Sequence, residues 1–397
     1  MFKKIGPGIL IASAFIGPGT ITACTLAGVG FGYALLWAML LSILATMVLQ
    51  EMTARLGVIS QKGLAHNIKQ QLKVRWLRVF VLTIILGAIL VGNAAYEAGN
   101  IGGATLGLVA LFGESYSNYY PFLVGFLASV LLLIGSYRIL EKVFMGLIFL
   151  MSISFLITAI LTKPDVLEVL RGLFIPSFPR DSVLTIIALV GTTVVPYNLF
   201  LHASLVNEKW KSKDNLKAAR VDTMVSISIG GIVSMAIVIA ATAIPSKEIT
   251  GALDLAKGLE PLFGNTARYF MGIGLFAAGI TSSITAPLAA AYVANSCFGW
   301  NVGLKDWKFR LVWLTILIIG VFSLSFKIKP IQIIQFAQIA NGMLLPVIAI
   351  LLVWIVNKKN VMGKYKNTFL QNVIGFLIVS LSIFLGLKSI FKVLGIL

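Results

Sequence analysis

Two hydrophobic segments of this chain are interrupted where a membrane helix should be continuous. The first, near residues 5–28, is broken at Ile16-Gly17-Pro18-Gly19-Thr20, and the second, near 183–206, is broken at Val195-Pro196-Tyr197-Asn198. Proline has no amide hydrogen and clashes with the preceding turn. Carbonyls freed this way cannot turn to water inside a bilayer, so such breaks persist only when buried in protein or lining a cavity. Paired interruptions at matching places in two halves of a chain point to the binding site of a secondary transporter.

Composition makes lipid the solvent. Of 397 residues, 58% are hydrophobic and only 12% charged, and mean hydropathy is +0.97. A soluble domain could not keep that much apolar surface from water. Eleven stretches, near 5–28, 33–56, 77–111, 119–137, 140–162, 183–206, 219–244, 267–298, 309–326, 330–356 and 369–395, have the length and hydropathy to cross a bilayer. The expectation is an all-α membrane protein of eleven transmembrane helices, with residues 1–397 forming one domain. Spans one to five (1–162) and six to ten (183–356) each begin with a broken helix. An odd number of spans per half inverts one half relative to the other, giving a five-plus-five inverted repeat with discontinuous helices one and six. The span at 369–395 is then an accessory helix. The connections 163–182 and 246–265 are long enough for short interfacial helices.

The net charge of +18 is distributed by side. With the N-terminus in the cytoplasm, 22 of the 32 Lys and Arg fall in cytoplasmic segments, which predicts N-in, C-out. The same loops favour anionic lipid, and no basic soluble domain exists to bind nucleic acid. Cys24 and Cys297 lie in apolar spans and read as packing residues, neither disulfide nor metal ligands. Lys3-Lys4 followed by an apolar run and Ile21-Thr22-Ala23-Cys24 mimics a lipoprotein signal, but the break at Gly17–Gly19 interrupts its apolar core, so cleavage is not expected. The expected location is a bacterial plasma membrane. No P-loop, zinc-spaced histidine pair or Gly-x-Ser-x-Gly is present, so neither an enzyme nor a cofactor is expected.

Polar residues inside the spans are the candidates for function. Gly17, Pro18, Gly19 and Thr20 permit unwound backbone whose carbonyls hold a cation; the bland alternative is a proline kink. In span six, Thr192, Val195, Pro196, Tyr197 and Asn198 either bind substrate or satisfy the carbonyls freed by Pro196. His202, one turn further on, is either a packing group or a proton relay. Glu97 is an ionisable group within span three. At mid-bilayer such a group costs about 2.5–3.5 kcal/mol on insertion scales, so it faces a cavity, is paired or carries a proton, unless it sits at the external end of a tilted helix. Thr281 and Ser282 in span eight are oxygen ligands for sodium or are bonded back to their own helix. Gln338 and Asn341, three apart, share one face of span ten as a polar lining or as interhelical glue.

At these positions the chain resembles the Nramp family of divalent-metal transporters, which has the LeuT-type fold of the APC superfamily. The opening Gly6-Pro7-Gly8 is similar to that family's start. Gly17-Pro18-Gly19-Thr20 corresponds to the family's Asp-Pro-Gly-Asn, and Val195-Pro196-Tyr197-Asn198 to its Met-Pro-His-Asn, followed by a similar Leu199-Phe200-Leu201-His202. Ser282-Ser283-Ile284-Thr285, and Gln338 eight residues before Pro346, fit its spans eight and ten. The departures fall on the implied metal ligands, whose Asp, Asn and Met are Gly17, Thr20 and Val195 here; Tyr197 replaces a gating histidine, and Thr192 stands where an alanine carbonyl binds metal. The metal ligands of this chain are therefore unknown from sequence.

The resemblance implies proton- or cation-coupled transport of a divalent metal by alternating access, with a bundle of spans one, two, six and seven rocking against a scaffold. Without carboxylate and thioether, a hard ion such as Mg²⁺, still partly hydrated, is the expected cargo over Mn²⁺ or Fe²⁺. Glu97, His202, Thr281 and Ser282 are the expected coupling residues for H⁺ or Na⁺. The alternatives are a sodium-coupled transporter of a small organic solute such as an amino acid, and a non-transporting receptor. The expected partners are the solute or metal ion, the coupling ion and the lipid bilayer, with the chain acting as a monomer.

Overall fold

The structure is a computed structural model that describes residues 16–134, 138–245, 248–300, 302–326 and 328–393. The first half of span one, the Gly6-Pro7-Gly8 opening and the Lys3-Lys4 pair lie outside the described residues. In chain order the α-helices are α1 (Pro18–Phe31), α2 (Leu36–Ser60), α3 (Leu64–Gln71), α4 (Arg75–Phe112), α5 (Tyr120–Ile134), α6 (Arg138–Leu161), α7 (Val166–Phe174), α8 (Val183–Thr193), α9 (Pro196–Lys209), α10 (Leu216–Ala241), α11 (Ala252–Ala256), α12 (Glu260–Phe263), α13 (Ala267–Phe298), α14 (Trp307–Ser323), α15 (Pro330–Val356), α16 (Lys359–Met362) and α17 (Phe369–Val393). Within the described residues each of the eleven sequence spans overlaps one of these, span six being α8 plus α9.

Eight of the described spans are long and apolar enough to cross a bilayer. The other three have local explanations. Only the second half of span one, α1, is described, and α5 has 15 described residues. The apolar stretch of α6 turns through 118° into α7. That short helix starts because the Asp165 carboxylate accepts from the Leu167 and Glu168 amides. Val166, Leu167, Leu170 and Phe174 are exposed along it, as suits a helix lying at the membrane surface. Elsewhere the large exposed side chains are also apolar, Phe126, Ile160 and Phe376 among them, a surface compatible with lipid and not with water.

The core is assembled by close helix contacts. Gly191 of α8 packs directly on the main-chain oxygen of Gln338 in α15, and a Cβ there would also stand 2.8 Å from the Gly342 nitrogen. Backbone cannot step aside as a flexible side chain can. Gly191→Ala is therefore expected to destabilise by about 1–3 kcal/mol through overpacking. In an unhindered helix interior the same change stabilises by up to about 1 kcal/mol, so the sign read from thermal unfolding in detergent is diagnostic, and a stabilised variant would contradict the contact.

Span two was expected to end at residue 56, but α2 continues to Ser60. The extension is anchored by charge. Arg55, 1% exposed, donates from Nε and Nη2 to the two Glu51 carboxylate oxygens, from Nη1 to the Tyr365 carbonyl and from Nη2 also to Asn367 Oδ1. Arg220 of α10 donates to the same Glu51 at 2.7 Å. One carboxylate thus ties α2, α10 and the loop between α15 and α17.

Candidate functional site

At both expected break positions the described backbone is non-helical. Gly17 is extended (φ −102°, ψ −178°), and α1 begins at Pro18. In span six, Val194 (φ −96°, ψ 73°) and Val195 (φ −76°, ψ 118°) leave the helix, and α9 begins at Pro196. Proline at a first helical position is tolerated because that amide has no helical partner anyway. Pro196 also lacks the amide that would have bonded the Thr192 carbonyl four residues earlier, so that carbonyl is released at the end of α8.

The two breaks meet. Thr20 Oγ1 and Thr192 Oγ1 are 2.8 Å apart although 172 residues separate them in sequence. Span ten closes over the pair, because the Gln338 side-chain amide lies directly on Gly19 while its main chain lies on Gly191. Thr20, Thr192, Asn198, Gln338 and Asn341 are all buried. Gln338 Oε1 and Asn198 Oδ1 have no hydrogen-bond partner among the described residues. The donor set around the breaks is hydroxyl, carbonyl and amide oxygen without a carboxylate. No cluster of three or more His, Cys, Asp or Glu able to hold a metal occurs among the described residues. Such neutral oxygens suit a hard cation that keeps part of its water shell.

A second polar group lies around Glu97. This residue is fully buried within the 38-residue α4, 15 residues before that helix ends at Phe112. Its Oε2 accepts from Asn100 Nδ2 at 3.2 Å, while Oε1 has no partner at hydrogen-bond distance among the described residues. A Cβ on Gly320 of α14 would stand 2.7 Å from Glu97 Cγ, so the carboxyl is held tightly from that side. Ser283 lies beside it from α13, and Tyr197 beside it from α9. The Tyr197 ring meets the Tyr96 ring edge-on at 5.4 Å.

Other nominated residues divide. Thr281 donates to the Ala277 carbonyl at 2.8 Å, the bland outcome for a helical threonine, whereas Ser282 has no partner. His202 Nδ1 pairs with Gln50 Oε1 of α2 at 2.7 Å, and Nε2 is unpartnered. Asn341 Oδ1 lies against Gly92 of α4, so α15 touches both polar groups. Twelve buried side-chain polar atoms lack a partner among the described residues, and seven belong to nominated residues: Glu97, Tyr197, Asn198, His202, Ser282, Gln338 and Asn341. Native interiors leave few such atoms, and here they concentrate on spans three, six, eight and ten.

Sequence reasoning missed Gln50, Tyr96 and Asn100, which hold His202, Tyr197 and Glu97. Asn100 was legible, one turn from Glu97 on the same face. Gln50 was not, since its partner lies 152 residues away.

The chain is 30% identical to the divalent metal cation transporter MntH of Staphylococcus saprophyticus, over 96% of this chain and 90% of that one. It is 27% identical to MntH of Caldanaerobacter subterraneus over 95% and 90%. Among solved structures, the Eremococcus coleocola manganese transporter superposes with a TM-score of 0.79 at 23% identity, covering 98% of this chain and 86% of that one. Variants of that transporter with one glutamate or one histidine replaced superpose equally well. Mhp1, a nucleobase-cation-symport-1 family transporter, gives a TM-score of 0.58 at 14% identity over 98% and 92%. These likenesses establish the LeuT-type fold. Residues 8–392 match the family described as natural resistance-associated macrophage protein-like, and the chain belongs to that family, Nramp.

Proposed function

We propose that this protein is a secondary transporter of a divalent metal cation, working by alternating access, with Mg²⁺ favoured over Mn²⁺ and Fe²⁺. Family membership and relatives named as divalent metal cation transporters support the cargo class. The observation that supports the proposal is the Thr20–Thr192 contact, which joins the helix ends beside the two breaks in a cradle of neutral oxygens. Gly17, Thr20 and Val195 supply neither carboxylate nor thioether. A soft or borderline ion loses the ligands that reward it, while a hard ion accepts carbonyl, hydroxyl and water. Gln338 belongs to span ten, outside the bundle of α1, α2, α8–α9 and α10, so rocking of that bundle opens or closes the cradle.

In the same proposal Glu97 takes up and releases the coupling proton, and His202, held by Gln50, continues its route along α9. Repeats at 1–162 and 183–356, an N-in and C-out orientation in the plasma membrane, and a monomeric unit complete it. The organic-solute alternative gains no observation beyond shared fold, and Thr281, expected at a sodium site, donates instead to its own helix.

Removing one ligand hydroxyl tests the cradle. Thr192→Val and Thr20→Val are each expected to weaken Mg²⁺ uptake into proteoliposomes by about tenfold or more, the loss of one hydrogen-bond-strength contact to a charged group. Uptake unchanged in both variants would remove the cradle from the transport path.

A further inference from the structure

Span eleven does not seal against the bundle. A groove of about 440 Å³ runs between α2, α8, α15 and α17, walled by apolar side chains such as Leu41, Ala45, Leu345, Leu377 and Leu381. A second cavity of about 280 Å³ follows it, lined by Met47, Met52, Met224, Glu51, Arg220 and Gln371. Val48 and Ile374 line both, so the two form one seam along α2 and α17. From Glu51 back to Leu41 the seam follows α2 for about 15 Å, the hydrocarbon depth of one leaflet.

Charge at the mouth is unbalanced. Arg55 and Arg220 share the single Glu51 carboxylate. Arg55 is enclosed, but the Arg220 side chain is 40% exposed and uses only Nε in its bond to Glu51. Its terminal nitrogens, which form a fork suited to phosphate, make no protein hydrogen bond among the described residues. Lys217, one turn earlier on the face that carries Arg220 and Met224, adds an exposed second cation.

An apolar channel one leaflet deep, open toward the bilayer and ending at an unbalanced guanidinium with a lysine beside it, has the chemistry of an anionic phospholipid site. We propose that the seam between α2 and α17 binds one, with an acyl chain along Val48 and Ile374 and the headgroup phosphate at Arg220 and Lys217. The lipid would come from the leaflet that faces the basic loops. Because the seam separates the bundle helix α2 from α17, the occupant would sit where those elements slide during transport.

Native mass spectrometry of the detergent-solubilised full chain titrated with dioleoyl-phosphatidylglycerol or dioleoyl-phosphatidylcholine tests this. Each basic group near the headgroup contributes roughly a fivefold preference, so two predict about 25-fold tighter binding of phosphatidylglycerol. Arg220→Gln, which leaves Glu51 paired with Arg55, is expected to remove about fivefold of that preference, as is Lys217→Gln. Met224→Trp, which fills the cavity, is expected to abolish the high-affinity lipid altogether. Melting curves identify folded variants. Equal binding of the two lipids, or wild-type phosphatidylglycerol binding by folded Arg220→Gln and Met224→Trp, would overturn the proposal. So would a dimer that dissociates on Met224→Trp, which would assign the seam to a second copy of the chain. Loss of this lipid preference leaves the metal cradle untouched, and failure of the cradle leaves the lipid result standing.

Discussion

Replacing Glu97 with glutamine is expected to uncouple transport from the proton gradient while leaving the fold intact. The carboxyl is fully buried, bonded on one oxygen to Asn100, with Ser283 beside it and Gly320 closing it in. Glutamine has the same shape and can keep the Asn100 bond, so thermal stability should change by less than about 0.5 kcal/mol or rise as an ionisable group leaves the interior. What it cannot do is release a proton. Coupling free energies between sites are typically about 1–3 kcal/mol, so the enhancement of uptake by an inward proton gradient, measured in proteoliposomes, should fall by about 5–150-fold. Downhill metal flux should persist. Full pH-driven accumulation in Glu97→Gln would place the proton elsewhere, with His202 as the next group to replace.

The largest stability effect is expected at Glu51. Its carboxylate accepts from Arg55 at 3.1 and 3.2 Å and from Arg220 at 2.7 Å. Glu51→Ala leaves two guanidinium groups facing each other with no counter-charge. Arg220 can turn toward solvent, so its share of the loss is small. Arg55 cannot, and its remaining bonds to the Tyr365 carbonyl and Asn367 do not neutralise it. Breaking a buried ion pair by removing one partner costs about 3–5 kcal/mol. The expected outcome is a large fall in melting temperature of the detergent-solubilised protein. Glu51→Leu combined with Arg55→Met, which removes both charges and keeps volume, should recover most of it. A double variant as unstable as Glu51→Ala would show that helix packing, and not charge, is what the single change disrupts.

Much of this architecture was legible in the sequence because lipid restricts the choices. Helices crossing it must be long and apolar, so α13 and α15 begin and end at the residues hydropathy indicated, 267–298 and 330–356. Proline in such a helix releases a carbonyl that must be used, so the breaks at Pro18 and Pro196 showed where the backbone unwinds. Isolated polar residues in apolar spans were equally telling, since burial of Glu97, Asn198, Gln338 and Asn341 without purpose is costly. Pairing was less legible. Nothing in the local pattern joins Thr20 to Thr192 or His202 to Gln50, because those contacts depend on how whole helices cross. Glu51 and Arg55 fall near the expected end of span two at residue 56, and nothing local showed that α2 runs on to Ser60 with both buried. Thr281 follows the local alternative that its residue type allows, donating to the carbonyl one turn back.

Cation selectivity tests the neutral cradle most directly. Purified protein in proteoliposomes, offered Mg²⁺ and Mn²⁺ separately and in competition, should accumulate Mg²⁺, with Mn²⁺ a weak competitor; installing carboxylate and thioether together by Gly17→Asp and Val195→Met should shift preference toward Mn²⁺. Strong Mn²⁺ uptake with no Mg²⁺ uptake by the unaltered chain would contradict the assignment of neutral oxygen ligands at the meeting point of the two unwound segments.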